Sequence, residues 1–151
     1  MADRSLVLEE FIPFRLSYTS NIVSDRIAAA YETLFGLRIP EWRLIAVVAE
    51  QGAITQQQIG EKTRMDKVTV SRAAIALADR GLIERAPNAA DRRSHLLRLT
   101  AAGGDLYASV APKALELEAR IFDRFDVGEL AAFVTMLRRI DAVALAMGDS
   151  A

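Results

Sequence analysis

Residues Thr55 to Thr100 read TQQQIGEKTRMDKVTVSRAAIALADRGLIERAPNAADRRSHLLRLT, and the order of signals in this stretch decides the fold. Thr55 and Gln58 have the spacing of a capping box, in which each side chain satisfies a backbone N–H left open by the first helical turn. After a short break, Asp66 caps a second helix that is expected to run to about Arg80. At about 100° per residue, Val70, Ala73, Ala74 and Leu77 share a narrow arc and should face the core. Val68 and Arg72 fall opposite, with Thr69 and Ser71 on the flanks. The two alanines on the inner face let this helix approach its neighbour closely. Gly81 stops it. Leu82 to Ala86 and His95 to Leu99 read as short strands joined by a turn that holds Pro87, Asn88, Asp91, Arg92 and Arg93. Helix, turn, helix and a β-hairpin with a basic tip is the layout of a winged helix-turn-helix, a device for reading DNA. The expected fold class is mainly α with a small β-hairpin wing.

Outward from this stretch the chain reads as helices. A long one is expected from Phe11 to about Leu37, with Pro13 near its start, where proline is tolerated. Gly36 and Pro40 bracket a turn, and Glu41 to Glu50 forms a second helix with Leu44, Val47 and Val48 on one face and Gly52 as its stop. Ala53 and Ile54 suit a short edge strand against the hairpin. Thr100 caps the next helix, although Gly103 and Gly104 weaken its first turn. Asp126 or a neighbour ends that helix. The last helix carries Leu130, Phe133, Val134, Leu137, Ile140, Ala144 and Met147 at close to a seven-residue spacing. The first helix and the last two hold more apolar surface than the winged region can cover. Either they pack on one another, or they form a dimer interface from both chain ends. The resulting organisation is one chain, 1–151, with a winged region at 41–100 and helical dimerisation regions at 11–37 and 104–147.

Composition narrows the function classes. The chain is 52% hydrophobic and 26% charged, the balance of a folded protein and not of a disordered one. No apolar run approaches the roughly 18 residues of a membrane span, so no membrane partner is expected. The start, MADRSLVLEEF, lacks the basic and apolar regions of a secretion signal, and the sequence has no cysteine; both fit a cytoplasmic protein. The net charge of −1 is distributed unevenly: Glu61 to Arg98 holds nine basic and five acidic residues, +4, against −5 for the remainder. Positive charge is thus gathered where DNA would lie. No cofactor or metal is implied, because no ligand cluster or phosphate-binding loop is present. An enzyme is disfavoured for the same reason, and the single histidine, His95, sits on a wing strand.

These motifs together resemble the MarR family of bacterial and archaeal regulators. The wing carries a D-x-R pattern as Asp91-Arg92-Arg93, followed by Leu97-Arg98-Leu99-Thr100 and Gly103. RGLIER, from Arg80 to Arg85, resembles the family's junction between recognition helix and wing, and FGLRIPEWRLIAVVAEQGAITQQQIGEKT resembles its second and third helices. The resemblance spans about residues 11 to 147. It implies a homodimer on a pseudo-palindromic operator, often controlled by a small aromatic or phenolic ligand.

On this reading double-stranded DNA meets Lys67, Val68, Thr69, Ser71 and Arg72 of the recognition helix. Arg72 suits a guanine and Val68 a thymine methyl, while Thr69 and Ser71 suit phosphates. Arg93 enters or flanks the minor groove, Arg92 meets phosphate, and Asp91 orients the turn. An effector cleft implied by the resemblance would draw on Arg15, Ser17, Tyr18, Asn21, Trp42 and Arg43, a set suited to an aromatic carboxylate or phenol. The alternative for these six is structural: Trp42 in the core, and Arg15 or Arg43 paired with an acid across the dimer. Two other functions stay open on sequence, a low-specificity architectural DNA binder and a winged-helix adaptor that has lost DNA binding.

Overall fold

In the computed structural model residues 5–148 are described, and the chain divides after Pro112 into two compact units. The first unit opens with a single 3₁₀ turn, Leu8–Glu10, ahead of the first long helix. Helix α1 (Ile12–Phe35) has Pro13 in its first turn and ends at Gly36, whose φ of 61° is the left-handed conformation that glycine adopts without penalty. Helix α2 (Ile39–Gln51) starts two residues before the expected Glu41. Pro40 belongs to its first turn, where a missing N–H costs nothing. The Glu41 carboxylate accepts from the Arg38 backbone N–H at 2.8 Å, so the signal for this helix start was Glu41 and not the Gly–Pro pair.

Strand β1 (Ile54–Thr55), helix α3 (Gln56–Thr63), helix α4 (Lys67–Asp79), strand β2 (Ile83–Pro87) and strand β3 (His95–Leu99) follow in the expected order. The sheet is antiparallel with β3 central, in the order β1-β3-β2, so the hairpin is extended by the anticipated edge strand. Ile54 and Arg85 both sit opposite Leu97, and Ile83 sits opposite Leu99. Leu37, Leu44, Ile45, Ile59, Ala74, Leu77 and Leu97 are fully enclosed, and Val70 and Ala73 nearly so. The inner arc predicted for α4 is therefore the arc that is buried. On α2 the buried apolar set is Leu44, Ile45 and Val48, with Glu41 buried on the same side and Val47 only half-buried; the expected face was rotated by about one residue.

Helix α5 (Ala101–Phe122) meets the wing base at Gly103. A β-carbon there would lie 1.9 Å from the Leu82 carbonyl oxygen. The glycine read in sequence as a weakness of the first turn is the residue that lets α5 touch the strand. Thr100 fastens the same junction. Its hydroxyl donates to the Gly81 carbonyl at 2.6 Å and accepts from the Gly103 N–H at 3.1 Å, and its own N–H donates to the Leu82 carbonyl at 3.1 Å.

The second unit holds the end of α5 and helix α6 (Val127–Met147). Asp126 does not end α5, which stops at Phe122; it is the N-cap of α6. Its carboxylate accepts from the Gly128 N–H at 3.0 Å while the Glu129 carboxylate accepts from the Asp126 N–H at 3.1 Å. No described residue from 113 onward is buried. Phe122, Phe125, Val127, Leu130, Phe133 and Val134 line an open apolar recess of about 590 Å³ in this unit.

Candidate nucleic-acid interface

The helix-turn-helix is held by caps at both of its corners. The Thr55 hydroxyl accepts from the Gln58 N–H at 3.1 Å, and the Gln58 side-chain oxygen accepts from the Thr55 N–H at 2.9 Å. At the far end of α3, the Thr63 hydroxyl donates to the Ile59 carbonyl at 2.7 Å. Arg64 then takes the left-handed conformation, φ 61°, and is the non-glycine residue with positive φ among those described. That conformation costs a side-chain-bearing residue of order 1 kcal/mol and is usually given to glycine. An exposed arginine kept at such a turn places a cation between the two helices.

Asp66 opens α4, its carboxylate accepting from the Thr69 N–H at 2.7 Å. Hydrogen bonds from the Thr69 N–H and then the Thr69 hydroxyl, with a smaller contribution from the nearby Arg72 charge, hold this carboxyl below the usual aspartate range. Lys67, Val68 and Arg72 are exposed, and Thr69 and Ser71 are half-buried on the flanks. At the other end of α4, the Arg80 guanidinium donates to the Gly36 and Phe35 carbonyls at 3.1 and 3.2 Å. This fork satisfies carbonyls that the last turn of α1 leaves open and ties that turn to the end of α4.

The wing tip is shaped by its own side chains. Asp91 accepts from the Arg93 backbone N–H at 3.0 Å, and the Ser94 N–H donates to the Asp91 carbonyl at 3.2 Å. The Asn88 amide donates to the Ser94 hydroxyl at 3.0 Å, and its oxygen accepts from the Ala90 N–H at 3.1 Å. Asp91 therefore engages the backbone of Arg93, and the Arg92 and Arg93 side chains are exposed. At the strand pair behind the tip, Arg98 and Glu84 lie opposite each other and form an ion pair at 2.7 Å. Both are about half exposed, so the pair is worth well under about 1 kcal/mol.

Between α3, α4 and the wing lies a recess of about 730 Å³ whose lining includes Lys67, Ser71, Arg85, Arg93 and His95. Glu61 and Asp91 also border it. Arg85 was not singled out from the sequence. The signal was its place in the strand: alternation puts it on the same face as Ile83, opposite Leu97, so that face runs from the core into the recess. Arg64 was missed likewise, because only the fold shows its position at the turn.

The six residues of the expected effector set do not form one cluster in a single chain. Arg15, Ser17, Tyr18 and Asn21 are exposed on the first half of α1, with Arg15 over the Tyr18 ring at 5.3 Å. Trp42 is half-buried, stacked on Tyr107 at 5.7 Å and tilted against Tyr31 at 5.7 Å, with Arg43 exposed beside it. Thirteen residues of helix separate Tyr18 from Tyr31, about 20 Å at 1.5 Å per residue.

A capped helix pair, an antiparallel wing and cations gathered along the groove between them define a winged helix-turn-helix protein. A sequence model of the MarR family matches residues 35–94. Transcriptional regulator HosA of Escherichia coli O157:H7 is 26% identical over 101 residues, 67% of this chain and 75% of that protein. The multiple antibiotic resistance protein MarR of Salmonella typhimurium is 25% identical over 142 residues, 93% of this chain and 99% of its own. In fold, a MarR/EmrR family regulator from Acinetobacter matches with a TM-score of 0.87 at 24% identity, covering 94% of this chain and all of that one. A mutant MarR from Escherichia coli complexed with operator DNA matches with a TM-score of 0.78 at 22% identity, over 90% and 99% of the two chains. Bordetella bronchiseptica BpsR, whose DNA binding is regulated by 6-hydroxynicotinic acid, matches with a TM-score of 0.71 at 23% identity, over 84% and 98%. The chain is thus similar to MarR-family transcriptional regulators over residues 35–94 and shares their winged-helix fold. Among the described residues no helix is long and apolar enough to cross a membrane.

Proposed function

We propose that this protein is a homodimeric repressor that reads a pseudo-palindromic operator and is released by a small aromatic or phenolic ligand. The observation that carries the reading is the recess between α4 and the wing, where Lys67, Ser71, Arg85 and Arg93 converge on one face of an otherwise acidic chain. Lys67, Val68 and Arg72 project into the major groove, and Thr69 and Ser71 on its flanks meet phosphates. Arg93, presented by the Asp91 turn, enters the minor groove, and Arg92 meets phosphate. The dimer is supported by the apolar surface left open on α6.

For the effector, the Tyr31–Trp42–Tyr107 rings offer stacking and Arg43 a charge. Arg15, Ser17, Tyr18 and Asn21 join them only across a dimer. Regulation of BpsR by an aromatic acid supports this ligand class.

The test is binding of the purified protein to its own upstream intergenic DNA and to a length-matched random duplex, with salt varied. A preference of about a thousandfold or more, falling steeply with salt, is expected of a specific regulator. A ratio near one would favour an architectural binder, and no binding at low salt an adaptor. Arg93→Ala should weaken operator binding by about 1–3 kcal/mol; unchanged affinity at near-physiological salt removes the wing from the interface.

A further inference from the structure

Between residues 35 and 112 the large apolar side chains left exposed are Val68 and Ile75, 56% and 50% accessible, and both lie on α4. Every other large apolar residue of the winged region is buried or half-buried. Seven residues separate the two, so at about 100° per residue they differ by only about 20° around the helix, and along it by about 10.5 Å. Arg72 lies between them, exposed, within about 60° of each. Asp79 closes the same stripe one turn beyond Ile75. The result is an apolar–cationic–apolar row on the outer face of the recognition helix, opposite the buried Val70, Ala73, Ala74 and Leu77.

Successive bases on one strand rise about 3.4 Å, so three steps span about 10 Å, the distance between the two apolar side chains. The apolar group that a base pair offers in the major groove is the thymine methyl, and the group that suits an arginine fork is guanine. Resting on the reading of the protein as a DNA-binding regulator, we propose that Ile75 is a second specificity-determining residue. Val68 and Ile75 read two thymine methyls three base pairs apart in each half-site, with a guanine met by Arg72 between them. The Asp79 carboxylate, which phosphate repels, marks where the helix leaves the groove. The occupant of this stripe is DNA rather than another protein, because its centre is a cation within a +4 segment of a chain whose remainder is −5.

The experiment starts from the tightest duplex that the full-length protein selects from a random-sequence library. Each thymine is then replaced in turn by deoxyuridine, which removes only the methyl group. Two positions per half-site, three base pairs apart on either strand, should each lose about three- to fivefold in affinity. Ile75→Ala should abolish the loss at one position and Val68→Ala at the other, with the salt dependence unchanged in both variants. Arg72→Ala should instead make that dependence shallower by about one ion. Both apolar side chains are on the surface, so these variants fold. A selected duplex whose uridine sensitivity is the same in wild type and Ile75→Ala overturns this proposal and leaves the regulator reading intact. Failure to select any duplex overturns the regulator reading and this proposal with it.

Discussion

The winged region, 41–100, and the segment from Lys113 onward end in opposite states, and the more apolar of the two, with 23 hydrophobic residues of 39 against 27 of 60, is the one left open. The first closes on itself: Leu44, Ile45, Ile59, Leu77 and Leu97 have no accessible surface. In the second no described residue is buried, and Phe133, Val134, Val143 and Leu145 remain 44–65% accessible. Apolar content therefore does not tell a core from an interface. What separates them is whether other elements of the same chain are in place to cover the stripe. Sheet, α2, α3 and α4 cover one another; α6 has a long stripe and no equivalent set of neighbours. The difference is what a chain makes if its outer helices wait for a second copy.

The comparison breaks most directly at Phe133. If α6 lies in a two-fold interface, Phe133→Ala counts twice and should weaken association by about 3–6 kcal/mol, a hundredfold or more, with little effect on the winged fold. Sedimentation of wild type and variant over a concentration series measures this; a wild-type chain that stays monomeric at high concentration would end the dimer reading. Leu77→Ala is the converse. It opens a cavity in a closed core and should cost about 2–5 kcal/mol in denaturant unfolding, independently of protein concentration.

Two adjacent glycines sharpen the contrast at the junction. Gly103→Ala places a methyl against the Leu82 carbonyl, and the strain of about 1–3 kcal/mol outweighs the roughly 1 kcal/mol of helix propensity gained. Gly104→Ala meets nothing within 4 Å and should gain up to about 1 kcal/mol. Thermal midpoints moving in the same direction for both would contradict the packing described.

The smallest effect concerns Asp66. A carboxyl held below its unfolded value stabilises the fold above about pH 3.9, and that contribution disappears as pH falls through the lower folded value. Asp66→Asn keeps an acceptor but cannot ionise, so it should flatten this part of the acid-unfolding profile. Identical profiles for variant and wild type would mean the cap is not coupled to folding.

Most of the winged fold was legible because its signals are local. The Thr55 and Asp66 caps, the inner arc of α4, the Gly52 and Gly81 stops and the two long strands each follow from a few neighbouring residues. Boundaries slipped where one residue type has two uses. Pro40 marked a turn in sequence and begins a helix in space, and Asp126 looked like an end and is a start. Of the candidate site, the row on α4 was readable from periodicity alone. Arg85 and Arg64 were not, because the first enters the recess through strand register and the second is set at the turn between α3 and α4 by a backbone conformation no pattern announces.

The sequence by itself thus determined which residues form helices, where those helices are capped, and which face of α4 is turned outward, since hydrogen bonds within a turn and a repeat of 3.6 residues need no distant partner. Only the tertiary structure decided that Gly103 is required, because the Leu82 carbonyl that excludes a side chain there arrives from another element. It also decided that the Arg80 fork belongs to the end of α1, 44 and 45 residues away, and that Tyr18 and Trp42 do not share a site within one chain. Such facts depend on which surfaces meet, and that is set by the sum of many weak contacts rather than by any residue and its neighbours.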